Sequence, residues 1–237
     1  MENIIDTTDE FNFSGITLGH PSTLSGGSYF TRLFSANKPI YVQTPKSSTK
    51  HGFVKNGKKI YTDLMFDNND NVFINWIENL ETKCQELIYD KGIDWFQNKL
   101  DKDDIESSFT SPFKIYKSGK NYLLRTSAKL NTKIYGEGDE IMTIDDVKNE
   151  QNIISILEIQ GIKFSSRSFQ IEFELKQSMT VSPDPFLDNC FIKQPNKKQM
   201  KETKTEIKKN ETITLDDFIQ KSAYEINDVL ATTNDDV

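Results

Sequence analysis

Cysteine and histidine are nearly missing from this chain: there are two of each in 237 residues. Cys84 and Cys190 are too few for a disulfide framework or a thiolate zinc site. His20 and His51 both sit in polar, loop-like surroundings and offer little from which to build a base–nucleophile relay or an imidazole metal site. The phosphate-cradling pattern GxxxxGK[ST] is missing, since Gly57-Lys58 and Gly119-Lys120 lack its flanking residues, and so are GxSxG, HExxH and CxxC. No apolar run approaches the roughly 20 residues that a membrane span requires. The opening Met1-Glu2-Asn3 lacks a basic region followed by an apolar stretch, so no secretory signal is expected. These absences point to a non-catalytic protein with no cofactor, no metal and no membrane association. They place it in a reducing, intracellular setting: cytoplasm, viral factory or nucleus.

Acidic residues, abundant elsewhere in this chain of net charge −7, are missing from two long stretches. Lys38 to Tyr61 holds Lys38, Lys46, Lys50, Lys55, Lys58 and Lys59. Pro112 to Lys133 holds Lys114, Lys117, Lys120, Arg125, Lys129 and Lys133. Rings interleave with both: Tyr41, Phe53 and Tyr61 in the first, Phe113, Tyr116 and Tyr122 in the second. Cations that track phosphates and rings that stack on unpaired bases are what a groove for single-stranded nucleic acid needs. Alternate residues of a strand share a face, so Lys59 is expected to point with Tyr61, Lys114 with Tyr116, and Lys120 with Tyr122. Lys163 and Arg167, flanking Ser165-Ser166, extend the same candidate surface. The plain alternative is that lysines on edge strands and hairpin tips are solvated guards against aggregation and that the rings belong to the core.

The patterning predicts a mainly β chain with α insertions. Residues 1–36 read as an irregular arm, because Gly15, Gly19, Pro21 and Ser25-Gly26-Gly27-Ser28 are loop chemistry. Strands are expected at Pro39–Gln43, Gly52–Lys55 and Lys59–Phe66, the last two joined by the hairpin signal Asn56-Gly57. From Val72 the period changes: Phe73, Trp76, Ile77, Leu80, Cys84, Leu87 and Ile88 recur at three and four residues, an amphipathic helix expected to break at Gly92. A helical turn is expected at Asp103–Ser107, strands at Phe113–Lys117, Tyr122–Ala128 and Lys133–Tyr135, and another helical turn at Asp145–Asn149. The clearest strands are Ile153–Phe164, with a bulge or kink at Gly161, and Phe169–Lys176. In the latter Phe169, Ile171, Phe173 and Leu175 alternate with Gln170, Glu172, Glu174 and Lys176. Residues 37–192 thus form the expected nucleic-acid-binding domain. Short strands with Gly/Asn turns suggest an antiparallel Greek-key barrel of the oligonucleotide-binding type with a long inserted helix, or a two-sheet sandwich. Residues 193–237 read as a lysine-rich linker, a tail helix entered at Thr214-Leu215-Asp216-Asp217 and carrying Leu215, Phe218, Ile219, Ile226 and Leu230, and an acidic end.

One enzyme motif competes. Glu174-Leu175-Lys176 is a Glu-x-Lys on a strand, the arrangement by which restriction-type nucleases hold a metal and steady a water. Their upstream Asp has no counterpart here, and Glu158 or Asp145 would have to stand in. A structural or scaffolding role in a virion, with the basic runs as interfaces, is the other alternative.

Several stretches carry a family resemblance. Ile156-Leu157-Glu158-Ile159-Gln160-Gly161-Ile162-Lys163-Phe164 followed by Phe169-Gln170-Ile171-Glu172-Phe173-Glu174-Leu175, with Pro112-Phe113-Lys114-Ile115-Tyr116-Lys117-Ser118-Gly119-Lys120 and Asp63-Leu64-Met65-Phe66, resembles the single-stranded DNA-binding proteins of nucleocytoplasmic large DNA viruses. Those in turn are similar to phage single-stranded DNA-binding proteins. The resemblance covers about residues 35 to 192 and implies an oligonucleotide-binding barrel, a part in viral DNA replication, recombination or repair, and an acidic tail that recruits replication proteins. Homo-oligomers are compatible with it. The tail here ends Asp235-Asp236-Val237, where the phage proteins carry a terminal aromatic. The basic runs and their rings give the candidate contacts Tyr41, Lys46, Lys50, Phe53, Lys55, Lys58, Lys114, Tyr116, Lys117, Lys120, Tyr122 and Arg125, with Lys163 and Arg167 beside them.

Overall fold

A computed structural model describes residues 4–96, 100–165, 168–182, 186, 191 and 192, with the side chain of Ile93 excepted. The chain separates into two units, Met1–Asp184 and Pro185–Val237, and every element below belongs to the first. The expected tail helix, the acidic end, Cys190 and Arg167 lie outside the described residues.

The first 36 residues depart from expectation. They hold β1 (Ile4–Ile5), a 3-10 turn at Phe13–Gly15, β2 (Ile16–Leu18), β3 (Ser22–Leu24) and β4 (Ser28–Ser35). Gly26 and Gly27 do form a turn at positive φ, but the turn closes a hairpin in which Leu24 pairs with Ser28. β2 and β3 both pair antiparallel with β4, which buries Thr31 and Leu33.

Next come β5 (Ile40–Gln43), β6 (Ser47–Thr49), β7 (Val54–Asn56) and β8 (Lys59–Asp67). Asn56 pairs with Lys59 across Gly57 at φ 60°, the left-handed backbone that this turn requires. Asp67 and Asp70 cap one another's backbone after β8, and α1 (Asn71–Trp95) follows. α1 runs through Gly92 without the expected break. An interior glycine costs about 1 kcal/mol against alanine, which is small beside the buried stripe of Phe73, Trp76, Ile77, Leu80, Cys84 and Ile88.

α2 (Lys102–Ser108) is followed by β9 (Phe109–Thr110), β10 (Phe113–Tyr116), β11 (Asn121–Ala128), β12 (Lys133–Tyr135), β13 (Ile141–Met142), β14 (Asn152–Phe164) and β15 (Phe169–Thr180). The helical turn expected at Asp145–Asn149 is instead a turn in which the Asp146 carboxylate accepts from the Thr143 backbone and hydroxyl.

Five strands close on themselves. β6 pairs with β8, β8 with β11, β11 with β15, β15 with β14, and β14 with β6. Only the β11–β15 contact in this ring is parallel. Counted in chain order, the ring runs first, second, third, fifth, fourth, first, which is the Greek-key order of the oligonucleotide-binding barrel. The fold is therefore mainly β, with the long helix inserted between the second and third barrel strands. β14 meets β6, β5 and β4 in turn along its length. Its register shifts before Gly161, where a side chain would collide with the Thr31 carbonyl oxygen. Among the described residues no helix is long and apolar enough to cross a membrane.

Candidate nucleic-acid interface

The central strands of the barrel sort their side chains by alternation. On β8, Thr62, Leu64 and Phe66 are buried, while Tyr61, Asp63 and Met65 between them are only half-buried. On β11, Leu124 and Thr126 point inward with them, and Arg125 and Ser127 outward. The register sets Arg125 opposite Asp63, Ser127 opposite Tyr61, and Leu123 opposite Met65. β10 adds Lys114 opposite Leu123 and Tyr116 opposite Asn121, and its inward Phe113 packs edge-on against Phe66. One outer face therefore carries Tyr61, Asp63, Arg125, Lys114 and Tyr116. Lys50 joins them, because its backbone N–H donates to the Asp63 carbonyl at 2.9 Å just beyond β6.

On this face each ring has a cation. The Arg125 guanidinium lies 4.3 Å from the centre of the Tyr61 ring. It is held there by a two-pronged ion pair to Asp63, Nε to Oδ1 at 2.7 Å and Nη2 to Oδ2 at 2.9 Å. That bonding raises the Arg125 pKa above its ordinary value, so the guanidinium is charged at any accessible pH. The Lys50 ammonium lies 4.4 Å and the Lys117 ammonium 5.5 Å from the centre of the Tyr116 ring. Lys50 belongs to the first acid-free run and Lys117 to the second, so the fold brings the two runs together over one tyrosine.

The remaining sequence-predicted residues scatter. Lys55 is paired with Asp145 at 2.7 Å. Lys58 is exposed in the β7–β8 turn, Lys120 in the turn before β11, and Lys46 just before β6. Phe53 packs against the core. Tyr122 turns inward, its ring centre 6.0 Å from that of Phe113, so Lys120 and Tyr122 do not share a face. Tyr41 stands on β5 opposite Glu158. Lys163 is exposed near the end of β14, where with Lys59 it draws down the pKa of Glu172, which burial raises more strongly.

Beside this face, across β15 and β14, lies a charged cluster that contains the Glu-x-Lys motif. Glu158 and Glu174 face one another across the strand pair, 7% and 6% exposed. Lys176 donates to both, at 3.1 Å and 2.8 Å. Lys129 approaches Glu174 Oε1 at 2.9 Å, Gln160 donates to its Oε2 at 2.7 Å, and Arg32 lies 3.6 Å from Glu158. Burial raises the Glu174 pKa, but the hydrogen bonds from Lys176 and Lys129 outweigh it and leave the carboxylate below its usual range. The pair is thus bonded to lysines and an arginine. Among the described residues no three His, Cys, Asp or Glu side chains converge as a metal site. Cys84, buried in the α1 stripe, has its thiol pKa pushed up by desolvation, which makes it a poor nucleophile.

No protein-family model and no curated protein matches the chain. Among solved structures it is similar to the single-stranded DNA-binding protein from bacteriophage Enc34. In complex with ssDNA the TM-score is 0.42 at 9% identity, covering 69% of this chain and 95% of that one. A second structure of that protein gives 0.43 at 8%, covering 78% and 98%. The C-terminal truncation gives 0.41 at 10%, covering 70% and 96%. At these scores and identities no residue role passes from those chains to this one.

A cleft of about 1310 Å³ lies elsewhere, between the N-terminal strands, the end of α1 and the tip of the β14–β15 hairpin. Tyr29, Trp95, Phe96, Phe164 and Phe169 line it, with His20 and Lys91. Here ring packs on ring: Trp95 and Tyr29 both stack on Phe164, with centres 5.8 Å and 5.4 Å apart.

Sequence reasoning did not nominate Tyr61, Arg32, Lys129 or Lys176 as contacts. Tyr61 and Lys129 lie within the acid-free runs, and Lys176 stands on the wet face of an alternating strand as the lysine of the Glu-x-Lys motif. Only Arg32, in what read as an irregular arm, gave no signal.

Proposed function

We propose that this protein binds single-stranded DNA without catalysis, through the outer face of β8, β10 and β11. The observation that carries this reading is the pairing of Tyr61 with Arg125 across the second and third strands of a closed five-stranded barrel, with Tyr116 of the flanking β10 paired to Lys50 and Lys117. That is the surface on which barrels of this order take up oligonucleotides. The energetics favour exchange. An exposed cation–ring contact is worth about 0.5–1 kcal/mol, whereas a base stacked on an aromatic side chain is worth about 1–3 kcal/mol. A base settling on Tyr116 displaces Lys50 or Lys117 toward its own phosphate, which replaces one weak contact by a stack and an ion pair, whereas on Tyr61 a phosphate shares Arg125 with the Asp63 carboxylate.

Lys114, with Lys120 and Lys58 at the neighbouring turns, supplies further positive charge around this face, and Tyr41 a further ring. Kinship with the single-stranded DNA-binding proteins of nucleocytoplasmic large DNA viruses, a place in viral replication, recombination or repair inside the host cell, and recruitment of replication proteins through the acidic tail belong to the same proposal. The local resemblances quoted above support them.

One observation favours the structural reading. Ile141, Tyr135, Met179 and Ile154 form a row across β13, β12, β15 and β14, and Ile141 and Met179 are exposed. Such a row suits a contact with another protein or a second copy.

One experiment separates the two readings: fluorescence anisotropy with labelled oligo-dT and a matching duplex across a salt series. Tight binding of the single strand that weakens steeply with salt is expected. A flat response, or no binding at low salt, would sink the single-strand reading and leave the structural one.

A further inference from the structure

The buried glutamate pair needs a reason. Like charges set directly opposite on a sheet are destabilising, and a buried ion pair is seldom more stable than an apolar pair of the same shape. Glu158 and Glu174 nevertheless face each other nearly fully buried. Lys176 suffices to bridge them, since it bonds both. Lys129 and Arg32 are therefore additional, and they differ from Lys176 in exposure: their side chains are 63% and 58% exposed, against 33% for Lys176. Each reaches one carboxylate oxygen and keeps its other donors at the surface. The Arg32 contact, at 3.6 Å, is an ion pair rather than a hydrogen bond.

Position supplies the rest. Cross-strand pairing makes Tyr61, Ser127, Glu174, Glu158 and Tyr41 one continuous row over β8, β11, β15, β14 and β5. At strand spacing the row spans about 19 Å. One end is the Tyr61–Arg125 pair, and the other is Tyr41. The cluster fills the middle, and its three cations outnumber its two carboxylates.

We propose that Glu158 and Glu174 are positioning residues that hold Lys129 and Arg32 at the surface as phosphate contacts, which carries a DNA backbone from Tyr61 and Arg125 across β15 and β14 to Tyr41. This deepens the single-strand reading and rests on it. The carboxylates do not touch the ligand. They fix two long, otherwise mobile side chains along one line, so that less side-chain freedom is lost when a phosphate arrives. The same pair makes Glu-x-Lys a structural cradle rather than a cutting site.

The test is the slope of log affinity against log salt for oligo-dT of about 16 nucleotides, comparing wild type with Arg32→Ala/Lys129→Ala. Each phosphate contact on a single strand contributes about 0.7 to that slope, so the double variant is expected to be shallower by about 1.4. Lys91→Ala/Lys102→Ala, removing one cation that lines the ring cleft and one over the Tyr89 ring, is expected to leave the slope unchanged and controls for net charge. Glu174→Gln, which keeps shape but frees Lys129, is expected to fall between wild type and the double variant. Should the double variant unfold, Lys129→Gln alone reads the same effect at half the size, because both glutamates remain bonded to Lys176. Wild type that binds with a slope the variants do not change overturns the cradle and leaves the single-strand reading standing. Wild type that does not bind at all removes both.

Discussion

Two groups of rings in this chain keep different company. At the end of α1 and the tip of the β14–β15 hairpin, ring meets ring: Trp95 and Tyr29 stack on Phe164, Phe96 meets it edge-on, and Phe109 stacks on Phe169. On the outer face of β8, β10 and β11, ring meets cation: Arg125 over Tyr61, Lys50 and Lys117 over Tyr116. Apart from Phe109, the first set lines a cleft of about 1310 Å³, and concavity alone would place the binding site there. The proposed interface lies elsewhere, on chemical grounds. Phe164 and Phe169 are buried, so their stacking energy is already committed to packing. Tyr61 and Tyr116 are only half-buried, and their partners are groups that a phosphate can engage.

Three substitutions sharpen that contrast. The larger effect is expected on stability. Phe164→Ala empties the centre of the ring cluster and should destabilise the fold by about 3–5 kcal/mol, read from the denaturant midpoint, while the folded fraction still binds oligo-dT with unchanged affinity. Equal losses of binding and stability would merge the two sets into one. On the outer face the roles reverse. Tyr61→Ala and Tyr116→Ala should each weaken oligo-dT binding by about 1–3 kcal/mol in anisotropy titrations, with unfolding moved far less. A variant that loses stability and keeps affinity would make that tyrosine a core residue.

Parts of this arrangement were legible in the sequence. The period of Phe73, Trp76, Ile77, Leu80, Cys84 and Ile88 announced α1, the alternation from Phe169 to Leu175 announced β15, and Asn56-Gly57 announced its hairpin. Together with the Gly and Asn turns they sufficed for the mainly β barrel with an inserted helix. β2 and β3 were hidden because each has three residues bounded by turn formers. In β4 both faces carry apolar side chains, Tyr29, Thr31 and Leu33 alternating with Phe30, Arg32 and Phe34, so no period-2 contrast marks it. At the site, Lys114 with Tyr116 followed from strand geometry alone. Lys50 over Tyr116 could not, because it depends on which strands become neighbours. Tyr122 has apolar Leu123 and Leu124 after it, and only the register against Phe66 decides that it points inward.

The most direct measurement is photocrosslinking of the full-length protein to an oligo-dT carrying 5-iododeoxyuridine, followed by peptide mapping. Crosslinks at Tyr61 and Tyr116, with a weaker set at Tyr41, are the result expected if the cation-paired rings take the bases. Crosslinks concentrated at Tyr29, Trp95 and Phe96 would contradict the assignment and move the binding site to the ring-lined cleft.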